Sequence, residues 1–292
     1  MELFGSSSGP GERGDNSLVN IPHDWMPLDE KYNLTEDDKK NGLIEYLDEA
    51  RDKASSSLDS LLTQIGVEKK YYEHIFEIPI GMHDGNLVGE GVYLPGQYGI
   101  IVWRDSKDIL GLKSTDADQK QRNINSLANT MAHEMLHSIQ TVNGFPGLEN
   151  KCSTIGSELG ALGLEEGIVE ALSFISIKDS DNNDSDYKIS ASELEQFCKD
   201  KGFLPATRLA ARIISKLDQK SLLWYLTCAQ NQDYKKHNRF KEIFGKDYQY
   251  LIDNMNILYG FETEERDDPE TEKAIIAETE QIIDNNLNEK TL

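Results

Sequence analysis

The chain is poor in cysteine, in positive charge and in long apolar runs, and each shortage removes a class of protein. Three cysteines, Cys152, Cys198 and Cys228, stand far apart with no CxxC pair among 292 residues. That is too few for a disulfide scaffold or a cysteine-based zinc site, so buried free thiols are expected. Thirty Lys+Arg face 52 Asp+Glu, a formal net charge of −22. A phosphate backbone or an anionic lipid surface would be repelled, so neither nucleic acid nor membrane is an expected partner. Cationic partners suit the charge, metal ions and basic peptides included. No stretch reaches the roughly 18 apolar residues of a membrane span. The opening MELFGSSSGPGERGDNS has no basic stretch followed by an apolar one. Without a readable secretory signal, a cytoplasmic location is the default expectation, although export by a signal-independent route would leave the same sequence.

What is present suits a soluble globular chain, with 38% hydrophobic and 28% charged residues. Residues 1–25 read as a disordered lead-in. A helix is expected from the capping box at Thr35 to about Ile65, with Leu43, Leu47, Ala50 and Ala54 at helical spacing. Tyr72–Ile80 reads as a strand, and Gly81–Gly91 as a glycine-rich loop. Gly91–Leu94 and Gly99–Trp103 read as strands around a Pro-Gly turn. A long helix is expected over 118–142, with Gly144 and Pro146 at its stop, and another over 156–177. Further helices are expected near 192–201, 205–216, 221–230 and 248–258. From Glu262 onward eleven acids face three bases, which reads as a solvated acidic tail with one weak helix at most.

Inside the long helix stands His133-Glu134-Met135-Leu136-His137, an HExxH pattern. Residues i and i+4 share a helix face, so both imidazoles can reach one ion. Zn²⁺ accepts histidine nitrogens at about 2.0–2.1 Å and in catalytic sites keeps a position for water. Glu134, beside the first histidine, is then placed to act as general base on that water. Without a metal, the same histidines would be ordinary core or surface residues.

A third ligand is required. A continuation HExxHxxGxxH would need a glycine at position 140 and a histidine at position 143, but the chain has Gln140 and Asn143 there. The alternative is a glutamate on a following helix, and Leu164-Glu165-Glu166-Gly167-Ile168-Val169-Glu170 offers three. That helix is otherwise apolar (Leu159, Leu162, Leu164, Ile168, Val169, Leu172, Ile175), so carboxylates there need partners.

An HExxH helix followed by an E-G-x-x-E helix resembles the gluzincin branch of zinc metallopeptidases. The resemblance covers about residues 131–175, and more loosely the strands before them. It implies Glu166 as the third zinc ligand and Glu170 as the carboxylate supporting a ligating histidine. Glu165 stands where the best-known members have Asn, so Glu165 and Glu170 stay open as ligands. The resemblance further implies an α+β, zincin-like fold. An N-terminal subdomain (26–145) would hold a small mixed sheet and the HExxH helix. A mostly helical subdomain (146–261) would supply Glu166, and residues 262–292 would be the acidic tail. An edge strand ahead of the metal helix, Tyr93–Leu94 or Ile100–Trp103, would bind extended substrate; ordinary core strands are the competing reading. The family's oxyanion donor comes from the C-terminal part. Tyr225, Tyr234, His237, Arg239, Tyr248 and Tyr259 qualify by position, led by Tyr234 and His237. His23, His74 and His83 are isolated and read as structural or exposed.

The expected activity is zinc-dependent peptide-bond hydrolysis on peptide or protein substrates, basic ones among them. No GxMxN signature precedes the motif, which favours an endopeptidase over an aminopeptidase. The alternative is a non-catalytic zinc-binding protein that uses the same scaffold to hold a partner. Residues 182–193 also resemble a calcium-binding EF-hand loop, but Asn182 and Tyr187 depart from it at positions one and six. Ser190 and Glu193 form a capping box that accounts for the segment without Ca²⁺.

Overall fold

Thr35 opens the first helix by accepting a hydrogen bond from the Asp38 N–H at 3.2 Å, while Asp38 Oδ2 accepts from the Thr35 N–H at 3.0 Å. The computed structural model describes residues 32, 34–83, 91–94, 99–112, 116–142, 153–182, 205–231, 234, 236–260 and 269–288. The helix expected over 35–65 is two helices, α1 (Glu36–Lys40) and α2 (Leu43–Ile65), because Asn41-Gly42 breaks it with Gly42 in the left-handed region. Along α2, Leu43, Leu47, Ala50, Ala54, Leu58, Leu62 and Ile65 are all buried.

Tyr72–Ile80 is not a strand. One short 3₁₀ turn, Lys69–Tyr71, leads into it and another, Glu73–Phe76, lies within it. Up to Pro79 the buried residues are Tyr72, Ile75 and Ile78, three apart, which is the 3₁₀ period rather than the alternation of a strand. The strand starts where that region ends: β1 is Ile80–His83, so the first part of the expected glycine-rich loop is extended backbone. β2 (Gly91–Leu94) and β3 (Gly99–Trp103) complete a mixed sheet in the order β1-β3-β2. β1 runs parallel to β3 with Ile80 opposite Ile100, and β2 antiparallel with Tyr93 opposite Ile100. All five residues of β3 are buried, which explains its unbroken apolar run. Ile100–Trp103 is thus the centre of the sheet, and the edge beside the HExxH helix is β2.

After α3 (Lys107–Leu112), Asp116 caps α4 (Ala117–Ile139) by accepting from the N–H groups of Asp118 and Gln119 at 2.9 and 3.2 Å. From Leu127 to Ile139 every residue of α4 is buried. Two short strands, β4 (Thr141–Val142) and β5 (Ser153–Thr154), pair antiparallel and lead into α5 (Ile155–Leu159). The single helix expected over 156–177 is broken at Gly160, and α6 (Leu162–Asn182) follows.

α6 is the central helix, packed against α2, α4, α7 (Pro205–Lys216) and α10 (Tyr248–Tyr259). Two of its glycines admit neighbouring backbones. A Cβ at Gly163 would overlap the Met255 carbonyl of α10, and one at Gly167 would lie 2.9 Å from the Ala210 Cβ of α7. Between α7 and α10 come α8 (Gln219–Asn231) and α9 (Arg239–Phe244). The core is one continuous cluster that runs from Tyr32 to Leu287.

The acidic end differs from the solvated extension expected of it. It holds α11 (Pro269–Asn288), whose Ile282, Ile283 and Leu287 are buried against the body. The described residues are α+β, mostly helical with a small mixed sheet. None of their helices is long and apolar enough to cross a membrane. Cys228 is buried, its thiol donating to the Tyr225 carbonyl at 3.4 Å. The lead-in, the Pro-Gly turn, Gly144 with Pro146, the helix expected over 192–201, His23, Cys152 and Cys198 lie outside the described residues. So does the calcium loop beyond Asn182.

Candidate metal centre

The wholly buried end of α4 leaves its two histidines one turn apart with nowhere to point but inward. His133 Nε2 and His137 Nε2 approach to 3.1 Å, with the rings edge to face. Glu166, in the first turns of α6, closes a triangle. Its Oε2 lies 3.2 Å from His133 Nε2 and its Oε1 3.3 Å from His137 Nε2. Ligands about 2.0 Å from a tetrahedral ion stand about 3.3 Å from one another, so the triangle has the size of a zinc coordination face. Two imidazoles and one carboxylate are also the donor set that leaves a fourth position open. These three residues form a group that could hold a metal ion.

Burial alone would raise the Glu166 carboxyl, yet His137 and His133 outweigh it and hold the group well below the usual carboxylate range. Burial likewise disfavours charge on His137, but Glu166 and Glu165 lift it well above an ordinary histidine. Such a site holds a proton tightly where an ion would sit, and metal binding would release it.

Each acid of α6 has its own partner. Glu165 turns away from the triangle, with Oε1 3.5 Å from His137 Nδ1. Its Oε2 accepts from Thr154 Oγ1 at 2.6 Å and from the Gly156 N–H at 2.8 Å. A carboxylate against the outer nitrogen of a ligating histidine fixes its tautomer and ring orientation. Glu170 accepts from Thr207 Oγ1 of α7 at 3.0 Å. Burial pushes its carboxyl up to about 7, against the pull of His133 and the Thr207 hydrogen bond. Glu166, rather than Glu165 or Glu170, is the acid that meets both histidines.

Glu134 is 2% exposed, and its Oε2 accepts a hydrogen bond from the Tyr93 N–H of β2 at 2.7 Å. The strand comes this near because Gly91 has no side chain: a Cβ there would lie 2.8 Å from Thr130 Cγ2 of α4.

Of the six residues considered as oxyanion donors, the phenol that reaches the triangle is Tyr259, at the end of α10. Its hydroxyl donates to Glu166 Oε2 at 3.3 Å. Burial, then Glu166, Glu170 and Glu134, hold that phenol well above an ordinary tyrosine, so it stays protonated and able to donate. His237 does not belong here. It is half exposed and pairs with Glu242 Oε1 at 2.5 Å. Tyr234 is a buried residue of the apolar core. Tyr225 is buried beside Glu165, and burial with that charge raises its phenol. Arg239 donates to Ser221 Oγ, and Tyr248 accepts from Asn238. His74 is partly buried against Ser138 Oγ at 3.0 Å.

Sequence reasoning did not foresee that Glu165 would face the outer nitrogen of His137. The available signal was two adjacent acids in an apolar helix. Neighbouring helical residues point about 100° apart, so two buried acids need two separate partners. The supports from Thr154, Thr207 and the Tyr93 N–H left no signal. No family model matches the chain, and neither a curated protein nor a solved structure matches it.

Proposed function

We propose that this chain is a zinc-dependent metallopeptidase, an endopeptidase, on a zincin-like fold of the gluzincin kind. The observation that carries the reading is the triangle of His133, His137 and Glu166, with Glu134 one residue from the first histidine. Its 3.1–3.3 Å edges fit Zn²⁺. A zinc ion held there supplies Lewis acidity, which polarises a carbonyl and makes water nucleophilic near neutral pH.

The chain's own residues do the rest. Glu134 takes a proton from the attacking water as the C–O bond forms, then delivers it to the amine as the C–N bond breaks. The Tyr93 N–H holds Glu134 in place until substrate arrives. Tyr259 orients Glu166, and its one hydroxyl proton would have to turn from Glu166 to serve a developing oxyanion. Glu165 fixes the ring of His137. With a net charge of −22, basic peptides are the favoured substrates, and the cytoplasm is the proposed place of action.

Two observations favour a second reading, a non-catalytic zinc-binding protein that docks a partner. Glu134 is occupied by the Tyr93 N–H, and the site is nearly closed to solvent. Metal content measured together with peptide-library hydrolysis separates the two. One equivalent of zinc with cleavage that chelator abolishes and zinc restores is the expected result. One equivalent of zinc with no cleavage would leave the second reading standing, and no zinc at all would sink both.

A further inference from the structure

We propose that the C-terminal helix α11 is a clamp that holds the metal centre's outer supports in place and so sets its affinity for metal. The inference rests on the metal-centre reading but is argued from residues outside that centre.

Two of the hydrogen bonds that reach the acids of α6 come from α7 and α10. Thr207 of α7 donates to Glu170, and Tyr259 of α10 donates to Glu166. Those two helices lean on α6 at Gly167 and Gly163, where no side chain separates the backbones. Small shifts of α7 or α10 therefore pass directly to the acids.

α11 grips both helices. Toward α7, Arg212 holds Asp284 with two nitrogens, Nε at 3.1 Å and Nη2 at 2.6 Å, and Lys216 adds a contact at 2.7 Å. One turn away, Arg208 reaches Glu280 at 3.5 Å. Toward α10, Asn254 donates to Thr279 at 3.1 Å, and Asn286 donates to Asp247, next to the start of α10, at 3.2 Å. Ile282, Ile283 and Leu287 fill the space beneath.

The grip is thus partly apolar and partly ionic. Its ion pairs are partly exposed, with side-chain accessibilities of 21% and 33%, so salt weakens them. A cationic ligand that competed for Glu280 and Asp284 would loosen α7 in the same way.

The test uses the full-length protein and two readouts, zinc affinity by chelator competition and amide exchange mapped along the chain. Asp284→Lys should lower zinc affinity on the order of tenfold, within the range for losing an outer partner of a metal ligand. Exchange should rise in α7 and α10 while α2 and the sheet stay protected. The triple exchange R212E/K216E/D284K, which restores opposite charges, should recover both signals. Asp284→Asn is the milder variant should the lysine prevent folding.

Rapid exchange in α11, with α7, α10 and zinc affinity all unchanged, would overturn the clamp. Failure of the triple variant to recover either signal would overturn it too. A wild-type protein that took up no zinc would instead overturn the metal reading, and exchange in α7 and α10 would still decide the clamp.

Discussion

Glu165 Oε1 stands 3.5 Å from His137 Nδ1, while Nε2 of the same ring faces Glu166 at 3.3 Å. The imidazole faces a carboxylate at each nitrogen, from adjacent residues of one helix. Glu165→Ala should therefore lower zinc affinity about 10- to 100-fold, with the fold intact by circular dichroism. Glu165→Gln should recover only part of this. Its amide cannot both accept from Thr154 and Gly156 and offer an acceptor to the His137 N–H. Chelator competition gives the ranking, and equal affinity in all three proteins would refute the pairing.

Glu134 and Glu166 should separate base from ligand. Glu134→Gln is expected to keep near-stoichiometric zinc and lose turnover by several orders of magnitude. Glu166→Ala should lose zinc first and activity with it. Full zinc and full activity in Glu166→Ala would return the ligand role to Glu165 or Glu170. Metal analysis beside a hydrolysis assay reads both variants.

Gly163 is predicted to tolerate no side chain. A Cβ there meets the backbone of Met255, which cannot rotate away. Gly163→Ala should cost about 1–3 kcal/mol, a fall in thermal midpoint of roughly 2–10 °C. An unchanged midpoint in scanning calorimetry would show that α10 can move aside freely.

His74 supplies a pH dependence whose sign can be worked out. Burial lowers its pKa in the fold, so between that value and the unfolded value of about 6.5 the unfolded chain binds more protons. Its contribution to stability is complete above about pH 6.5, declines as pH falls through the folded value, and levels off below. His74→Gln should flatten the acid limb of stability below about pH 6.5 in urea titrations. An identical slope in the variant would place the acid sensitivity elsewhere.

How much of this is legible in the sequence depends on how far each relation reaches. His133 and His137 sit one helical turn apart, so their shared face follows from helix geometry alone. Glu166 is reachable because its helix is apolar around it. The choice of Tyr259 over Tyr234 and His237 depends on how α10 folds back across α6, and position along the chain carries no record of that. Tyr72, Ile75 and Ile78 mislead because three residues at period three also satisfy part of a strand's alternation. α11 is hidden by its own charge. Counting acids obscures Ile282, Ile283 and Leu287, which decide where the helix lies.

The three buried acids of α6 also determine how the molecule comes apart. Glu165 leans on β5 and α4, Glu166 on α4 and α10, and Glu170 on α7. Withdrawing any of these elements leaves a buried acid short of a partner, a cost of about 1–3 kcal/mol. Complete detachment of any of the four is thus opposed, although α7 and α10 can still loosen locally. The halves on either side of residue 145 are therefore bound into one cooperative unit, and they should melt together in a single transition.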